Sequence, residues 1–331
     1  LASGSTVAGG TQMVMDRPVP FSQPASLDLS IIVVSFNTRE ILLACLESVY
    51  TCTRDLAFEV LVIDNGSADG SADAAGERFP GVRLVKNPEN RGLSAAYNQG
   101  IKMSRGRYLV FLNSDTILTE NSFLKIVHYL DGHPEFSICT PRVVDENNNV
   151  GSIRFRQDTP WDAARKILGK YDGDQEAREM GKEEIKEVEA IGGPSFFVRR
   201  TLLETVGPFD ENYFLYNEED DFCRRARRHG YKVLYYPETT LVHLRGKSTH
   251  LPQIREKVII ETYKSNLYFY AKHYSPAWNL VLRLLYRGTF ILGMLKSAGR
   301  RLAGRPPQTA DDSMALKWKL LFLKLPKLRR K

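Results

Sequence analysis

The chain has 331 residues, 43% hydrophobic and 26% charged. That is the balance of a soluble globular protein with material for a sizeable core, built as one large α/β domain with an appendage or as two modest domains. Four cysteines, Cys45, Cys52, Cys139 and Cys223, are scattered without CxxC or CxxH spacing, which argues against a zinc site or disulfide framework and for a reducing compartment. The net charge of +7 is concentrated at one end, with 13 Lys and Arg against two Asp from Trp278 onward, so the body is net acidic and nucleic acid is not an expected partner.

Residues 1–27, rich in Ser, Gly, Thr and Pro, read as a disordered leader without a signal peptide. Residues 29–35 form a buried strand, and Thr38 is placed to cap a helix in which Ile41, Leu42, Cys45, Leu46 and Val49 recur at helical spacing. A second strand at 58–63 ends in Asp64-Asn65-Gly66-Ser67, and a shorter third spans 82–85. Residues 90–100, Asn-Arg-Gly-Leu-Ser-Ala-Ala-Tyr-Asn-Gln-Gly, make a glycine-permitted turn into a small-residue helix able to pack closely on a sheet. A continuous apolar run at 108–112 then stops abruptly at Asn113-Ser114-Asp115.

This order predicts a largely parallel, doubly wound sheet with right-handed crossovers. A parallel arrangement brings the loops Ser35 to Asn37, Asp64 to Gly66 and Asn113 to Asp115 to one edge, where open α/β sheets hold ligands. Each tripeptide alone is an ordinary turn former; their joint placement favours a site.

A helix at 121–130 is closed by His133-Pro134. Residues 151–187 carry Arg154, Arg156 and Trp161 and then a dense charged run, most simply a solvated helix, with a flap over the site as the alternative. Residues 191–198 are a turn feeding a strand, and Gly207-Pro208 ends the helix after it. At 216–230 four acids open a helix that four arginines and Gly230 close, with Asn217 as its cap. Asp220 and Asp221 have i,i+4 arginine partners, Arg224 and Arg225. Glu218 and Glu219 have none within the helix, and crowding raises the pKa of the least solvated acid, so one of these two is the expected proton acceptor.

After a strand at 231–236, His243 follows a short apolar run and precedes a basic turn with Arg245 and Lys247; it reads either as a hydrogen-bonded structural residue or, with that turn, as one that holds a cation and its anionic ligand. In the tail, Asn279, Arg283 and Arg287 line one face of an otherwise apolar helix, which suits a helix lying in a membrane interface. The aromatic and basic residues of 317–331 suit an anionic leaflet. The alternative is an oligomerisation helix pair, making a homo-oligomer, with a solubilising basic end.

Assembled, residues 29–250 resemble the inverting family-2 glycosyltransferases, the nucleotide-sugar enzymes of GT-A fold. The matching pieces are Ile-Val-Val-Ser-Phe-Asn at 32–37, Val-Ile-Asp-Asn-Gly-Ser at 62–67, the 90–100 segment, Leu-Asn-Ser-Asp at 112–115, Glu-Glu-Asp-Asp-Phe-Cys at 218–223 and Val-His-Leu at 242–244. The resemblance implies a Rossmann-like α/β GT-A domain over 28–250, with a mostly parallel central sheet flanked by helices, and a helical, basic, membrane-associating extension over 251–331.

The resemblance also implies roles. Asp64 and Arg91 sit against the nucleotide base, with Ser35 and Asn37 beside them. Asn113, Ser114 and Asp115 stand where the family has its DXD-type motif, Asp115 binding Mg²⁺ or Mn²⁺ on the sugar-nucleotide diphosphate and His243 assisting. Glu219 matches the catalytic base, second of the usual Glu-Asp pair, after Glu218. Three departures stand out. Asn113 replaces the first acid of the motif, Glu219 replaces the common Asp, and the Trp often found before Gly192-Gly193 is missing.

The implied activity is metal-dependent inverting transfer from dTDP-rhamnose or a UDP-hexose to a lipid-linked or cell-surface glycan hydroxyl, by a peripheral protein at the cytoplasmic face of the membrane. A sugar nucleotidyltransferase would need a Gly-rich phosphate loop where Ser35-Phe36-Asn37-Thr38 stands. In a non-catalytic sugar-nucleotide or membrane adaptor the two glutamates would be dispensable.

Overall fold

The computed structural model describes residues 27–150, 156–170, 184–244, 252–302 and 314–323. The expected leader, Arg154, the centre of the charged run that ends at 187, the basic turn of Arg245 and Lys247, and the basic end from Lys324 lie outside the described residues.

Strand β1 (Leu27–Ser35) is followed by α1 (Arg39–Cys52), β2 (Phe58–Asp64), α2 (Ser71–Arg78), β3 (Val82–Lys86), α3 (Leu93–Met103) and β4 (Gly106–Asn113). Then come β5 (Thr116–Leu118), α4 (Ser122–Gly132), β6 (Phe136–Val144), α5 (Pro160–Ile167), β7 (Lys186–Val188), β8 (Ser195–Arg199) and α6 (Leu202–Val206). The chain continues through α7 (Glu218–Arg228), β9 (Lys232–His243), α8 (Pro252–His273), α9 (Pro276–Leu302) and α10 (Met314–Leu321).

The strands join in one sheet of order β3-β2-β1-β4-β8-β6-β9-β5, with β7 also on β9. The block β3-β2-β1-β4 is parallel throughout, and β6 and β9 are parallel to each other. Strand β8 runs antiparallel between β4 and β6. This is the α/β sheet expected from the sequence, mostly parallel at its centre and flanked by helices. Continuous apolar runs such as Ile31-Ile32-Val33 are buried on both faces because helices cover both. Residues of α1 and α4 pack with one face of the sheet, those of α3, α6 and α7 with the other.

Register places the site. Ser35 pairs with Asp64 across β1 and β2, and Val34 pairs with Asn113 across β1 and β4. The three strands therefore end together, and their loops share one edge.

Two expected caps are replaced by other contacts. Neither Thr38 nor Asn217 makes a side-chain cap hydrogen bond. Thr38 instead joins neighbouring loops through its hydroxyl, and Asn217, left-handed at φ 65°, donates its amide to Asn266 of α8. Strand β9 is also longer than the sequence indicates. It runs through Pro237 because the register shifts against β6, pairing Pro141 with Tyr236 and then Arg142 with Thr240, which removes Pro237 from the ladder.

Helices α5, α8, α9 and α10 form a third core around Leu267, Tyr270, Leu282 and Leu316. Its link to the sheet domain is ionic. Asp221 of α7, fully buried, faces His273 Nε2 at 2.7 Å, Lys272 Nζ at 2.7 Å and Arg225 Nε at 2.8 Å. Burial disfavours the Asp221 carboxylate, but the hydrogen bond from His273 and the charges of Arg225 and Lys272 outweigh it and hold its carboxyl well below the usual range. Burial also lowers the pKa of His273, against the pull of Asp221.

The tail helix is turned the other way from expectation. Asn279 is buried and donates to the Leu267 carbonyl at 3.0 Å. Arg283 is half-buried, with its Nε enclosed and lacking a hydrogen bond. Their line faces the core, and only Arg287 of the three is exposed. No described helix is long and apolar enough to cross a membrane.

Replacing Asp221 by Asn leaves Arg225 and His273 beside a neutral amide and Lys272 with Asp210 as its remaining acid. The expected loss is about 3 kcal/mol of unfolding free energy, read by urea denaturation. Acid should act in two stages in the wild-type protein. Below about pH 6.5 the unfolded state takes up a proton at His273 that the folded state resists, so stability falls. The Asp221 contribution is full above the ordinary carboxylate range and is lost progressively as pH falls from that range through its depressed folded pKa.

Candidate active site

Local hydrogen bonds tie the three strand-end loops together. Ser35 Oγ lies 3.1 Å from Thr38 Oγ1, which lies 3.2 Å from Ser114 Oγ, so a buried hydroxyl chain joins the β1 loop to the β4 loop. Asn37, left-handed at φ 53°, donates its N–H to Ser67 Oγ and accepts from Ala68 N–H, clamping the β1 loop to the β2 loop. Asn65 anchors the segment before α3. Its Oδ1 accepts from Arg91 N–H and from the Asn87 amide, both at 3.1 Å, and its own amide donates to Asn90 Oδ1 and the Gly92 carbonyl. At Gly92, φ is +85° and an added Cβ would lie 2.7 Å from the Phe214 carbonyl oxygen, so only glycine admits this approach.

A cavity of about 350 Å³ opens at this edge, within the range of small-molecule sites. It takes Val34 from β1, Asn65 from the β2 end, Asn113, Ser114 and Asp115 from the β4 end, and Glu218 and Glu219 from α7. His243 of β9, the strap residues Phe214 to Tyr216, and Lys257 and Val258 of α8 also line it.

Asp115 is 1% exposed. Its backbone carbonyl accepts from Leu244 N–H at 2.9 Å, and its Oδ1 lies 3.1 Å from His243 Nε2. The pairing of Thr116 with His243 across β5 and β9 makes this contact. Among the described residues no three His, Cys, Asp or Glu side chains cluster as a metal site. One carboxylate beside one imidazole fits a hard divalent ion only when phosphate oxygens and water complete its shell. The charge balance favours such an ion, because a diphosphate entering here meets three carboxylates and, among the lining residues, a single lysine.

The two glutamates differ. Glu218 is 2% exposed, and its Oε2 is buried without a hydrogen-bond partner. Burial pushes its pKa to about 7, partly offset by its own backbone N–H and reinforced by Asp220. Glu219 is half-buried and accepts from Gly193 N–H at 3.3 Å through Oε2. A Cβ on Gly192 would lie 2.9 Å from that oxygen, and Gly193 holds φ at +136°, a value that favours glycine.

The cavity thus brings together Asn113, Ser114, Asp115, Glu218, Glu219 and His243 of the expected site residues. Ser35, Asn37, Asp64 and Arg91 are absent from its lining. Ser35 and Asn37 brace loops, Arg91 is exposed, and Asp64 is buried at the adjoining strand end. Asp64 accepts from Ser67 N–H through Oδ2 and leaves a buried Oδ1 without a partner. Sequence reasoning missed Lys257, whose ammonium sits 4.3 Å from the Phe214 ring centroid. It lies far past the last matching motif, where no signal marks it. It also missed the bracing role of Asn65, which looks like an ordinary turn residue.

Comparison with known proteins supplies the family. Residues 30–205 match glycosyl transferase family 2. The chain is 27% identical over 262 residues to the N-acetylglucosaminyl-diphospho-decaprenol L-rhamnosyltransferase of Mycobacterium tuberculosis, covering 73% of this chain and 85% of that protein. It is also 27% identical to glycosyltransferase AglE of Haloferax volcanii, over 62% of this chain and 64% of that one. Among solved structures, the mannosyltransferase PcManGT of Pyrobaculum calidifontis in complex with GDP-Man and Mn²⁺ aligns with a TM-score of 0.51 at 18% identity, covering 89% of this chain and 87% of that one. GalNAc-T7 with UDP, GalNAc and Mn²⁺ aligns with a TM-score of 0.52 at 19% identity, covering 74% and 50%. These two likenesses carry the fold. With over half its length inside the family's match, the chain belongs to glycosyl transferase family 2 and is a glycosyl-transferring enzyme of GT-A fold.

Proposed function

We propose that the enzyme moves a deoxyhexose or hexose from a dTDP- or UDP-activated donor to a hydroxyl of a lipid-linked glycan, in one inverting displacement. The observation that carries this reading is that Asp115, His243, Glu218 and Glu219, from three separate segments, line one cavity, with the unpartnered oxygen of Asp64 at the adjoining strand end. A free carboxylate oxygen at the nucleotide end suits the N3–H of uracil or thymine, which both bases present alike. The name of the Mycobacterium tuberculosis relative supports rhamnose and a polyprenyl-diphosphate-linked acceptor.

Asp115 and His243 would hold a Mg²⁺ or Mn²⁺ ion, which supplies positive charge against the departing diphosphate. Glu219 takes the acceptor hydroxyl proton as that oxygen bonds to the anomeric carbon. The bond from the anomeric carbon to the diphosphate breaks on the opposite side, and the nucleoside diphosphate leaves with the electron pair. Burial of Asp115 and Glu218 excludes water from the reacting centre, which strengthens every charge interaction there.

Three outcomes test this. Glu219→Gln should lower kcat for transfer about 10²–10⁴-fold while calorimetric binding of the nucleoside diphosphate survives; full transfer in that variant would remove the base assignment. Asp64→Ala should raise the donor KM about tenfold with kcat little changed, and the effect should disappear for donors whose base lacks an N3–H. Glu218 shares its cavity with Glu219, Asp115, His243 and Lys257 and ionises as pH rises through about 7, adding negative charge where the diphosphate binds. Donor KM should therefore rise above neutrality, and Glu218→Gln should flatten that rise.

A further inference from the structure

Helix α9 turns its most apolar side outward. Leu280, Leu284, Ile291, Leu295 and Leu302 are 44 to 91% exposed. Their spacings of four, seven, four and seven put them within about 60° of one another on the helical wheel, in a stripe roughly 33 Å long. The opposite side is the packed one, with Leu282 and Asn279 buried against α8 and α10. Elements packed on α9 add large exposed aromatics. Trp161 of α5 is 62% exposed and meets Trp278 edge-on at 6.4 Å, and Trp318 of α10 is 59% exposed.

Charge decides what covers this face. Neither α9 nor α10 contains an Asp or Glu. Arg287 borders the stripe on one side, and on the other Lys296 stands beyond the exposed Val281 and Leu292; both cations are exposed. Two copies meeting here would bring like charges together with no acid on the face to offset them. An anionic lipid leaflet offers apolar depth to the leucines and phosphate to the cations.

The geometry points to the outward stripe of α9 as the surface that seats this protein on an anionic leaflet. This deepens the lipid-linked acceptor reading and rests on it for its purpose, but its test is independent. The seat is the side of the helix away from Asn279 and Arg283, the apolar side opposite the polar line of the sequence pattern. Helix α8 links seat to site, since α9 packs on it while its Lys257 and Val258 line the cavity.

The test is sedimentation of the full chain with phosphatidylglycerol–phosphatidylcholine vesicles and with phosphatidylcholine vesicles alone. The double variant Leu284→Gln with Leu295→Gln should bind the anionic vesicles about tenfold more weakly, with unchanged thermal midpoint and unchanged donor hydrolysis in solution. Arg287→Gln with Lys296→Gln should weaken binding less and flatten its salt dependence. Wild-type protein that ignores anionic vesicles, or a leucine variant that binds them as the wild type does, overturns the proposal. So does a wild-type dimer in the ultracentrifuge that the leucine variant dissociates while vesicle binding is unchanged, which would give the face to a second copy. Glu219→Gln should keep full vesicle binding, so failure of the transferase reading and failure of the membrane seat are separately visible.

Discussion

The active centre depends on one buried carboxylate that does no chemistry. A helix that opens with four consecutive acids is held in place against their mutual repulsion, and Asp221 does the holding. It collects His273, Lys272 and Arg225 around a side chain that water does not reach. Glu218 and Glu219 are three and two residues upstream, so any tilt of α7 would carry them off the cavity. The strap before the helix is under strain as well. Tyr216 and Asn217 are consecutive left-handed residues, each costing about 1–2 kcal/mol. Two bonds from α8 offset this, one between the side chains of Asn217 and Asn266 and one from Ser265 to the Leu215 carbonyl. Helix α8 is therefore part of what shapes the cavity, although it lies beyond the residues that match the family.

A second constraint is register. Parallel strands that end level set three loops side by side, but level ends alone leave floppy loops. Here the hydroxyl chain from Ser35 through Thr38 to Ser114 and the clamp of Asn37 on Ser67 and Ala68 make the edge rigid. Residues expected to touch a nucleotide are occupied in bracing, and this frees others. With Ser67 N–H on one oxygen of Asp64, the other is left buried and unmet. An unmet buried acceptor costs about 1–3 kcal/mol, and a ligand N–H placed there recovers that cost. In the proposed function a nucleotide base supplies that N–H, and the unmet oxygen is then a binding feature rather than a defect of packing.

The parts of the fold legible in the sequence are those whose signal is local. The runs at 29–35, 58–63 and 108–112 are apolar throughout because helices cover both faces, and the small residues of 90–100 mark a helix pressed on a sheet. Strand β6 was not legible, since Pro141 and Arg142 interrupt its pattern and only the register shift against β9 accommodates them. The site was legible to the extent that its residues follow strands or open helices. What escaped was pairing across distance. Nothing local says that Gly192 leaves room for Glu219, or that Lys257 comes back to the cavity. Nor does anything local show that Asn217 spends its amide on Asn266 instead of on its own helix.

The tail shows why a helical wheel alone misleads. The wheel of α9 separates a polar line from an apolar stripe, but it cannot say which one meets solvent. That choice belongs to the neighbours. Helix α8 presents the Leu267 carbonyl, an acceptor that Asn279 satisfies, and the third core takes Leu282 and Phe290 beside it. Once the polar line is committed inward, the leucines opposite have no protein partner among the described residues. Apolar patches of this extent are rare on proteins that stay in water and mark contact surfaces. The same helix pair explains how such a contact bears on the chemistry. Helix α8 is gripped on one side by Asp221 and overlain on another by α9, so whatever α9 rests against sets the position of α7 and its glutamates relative to that support. In the proposed reading, an acceptor anchored in the same membrane presents its hydroxyl at a height defined by the fold, and orientation of this kind replaces a free search in solution.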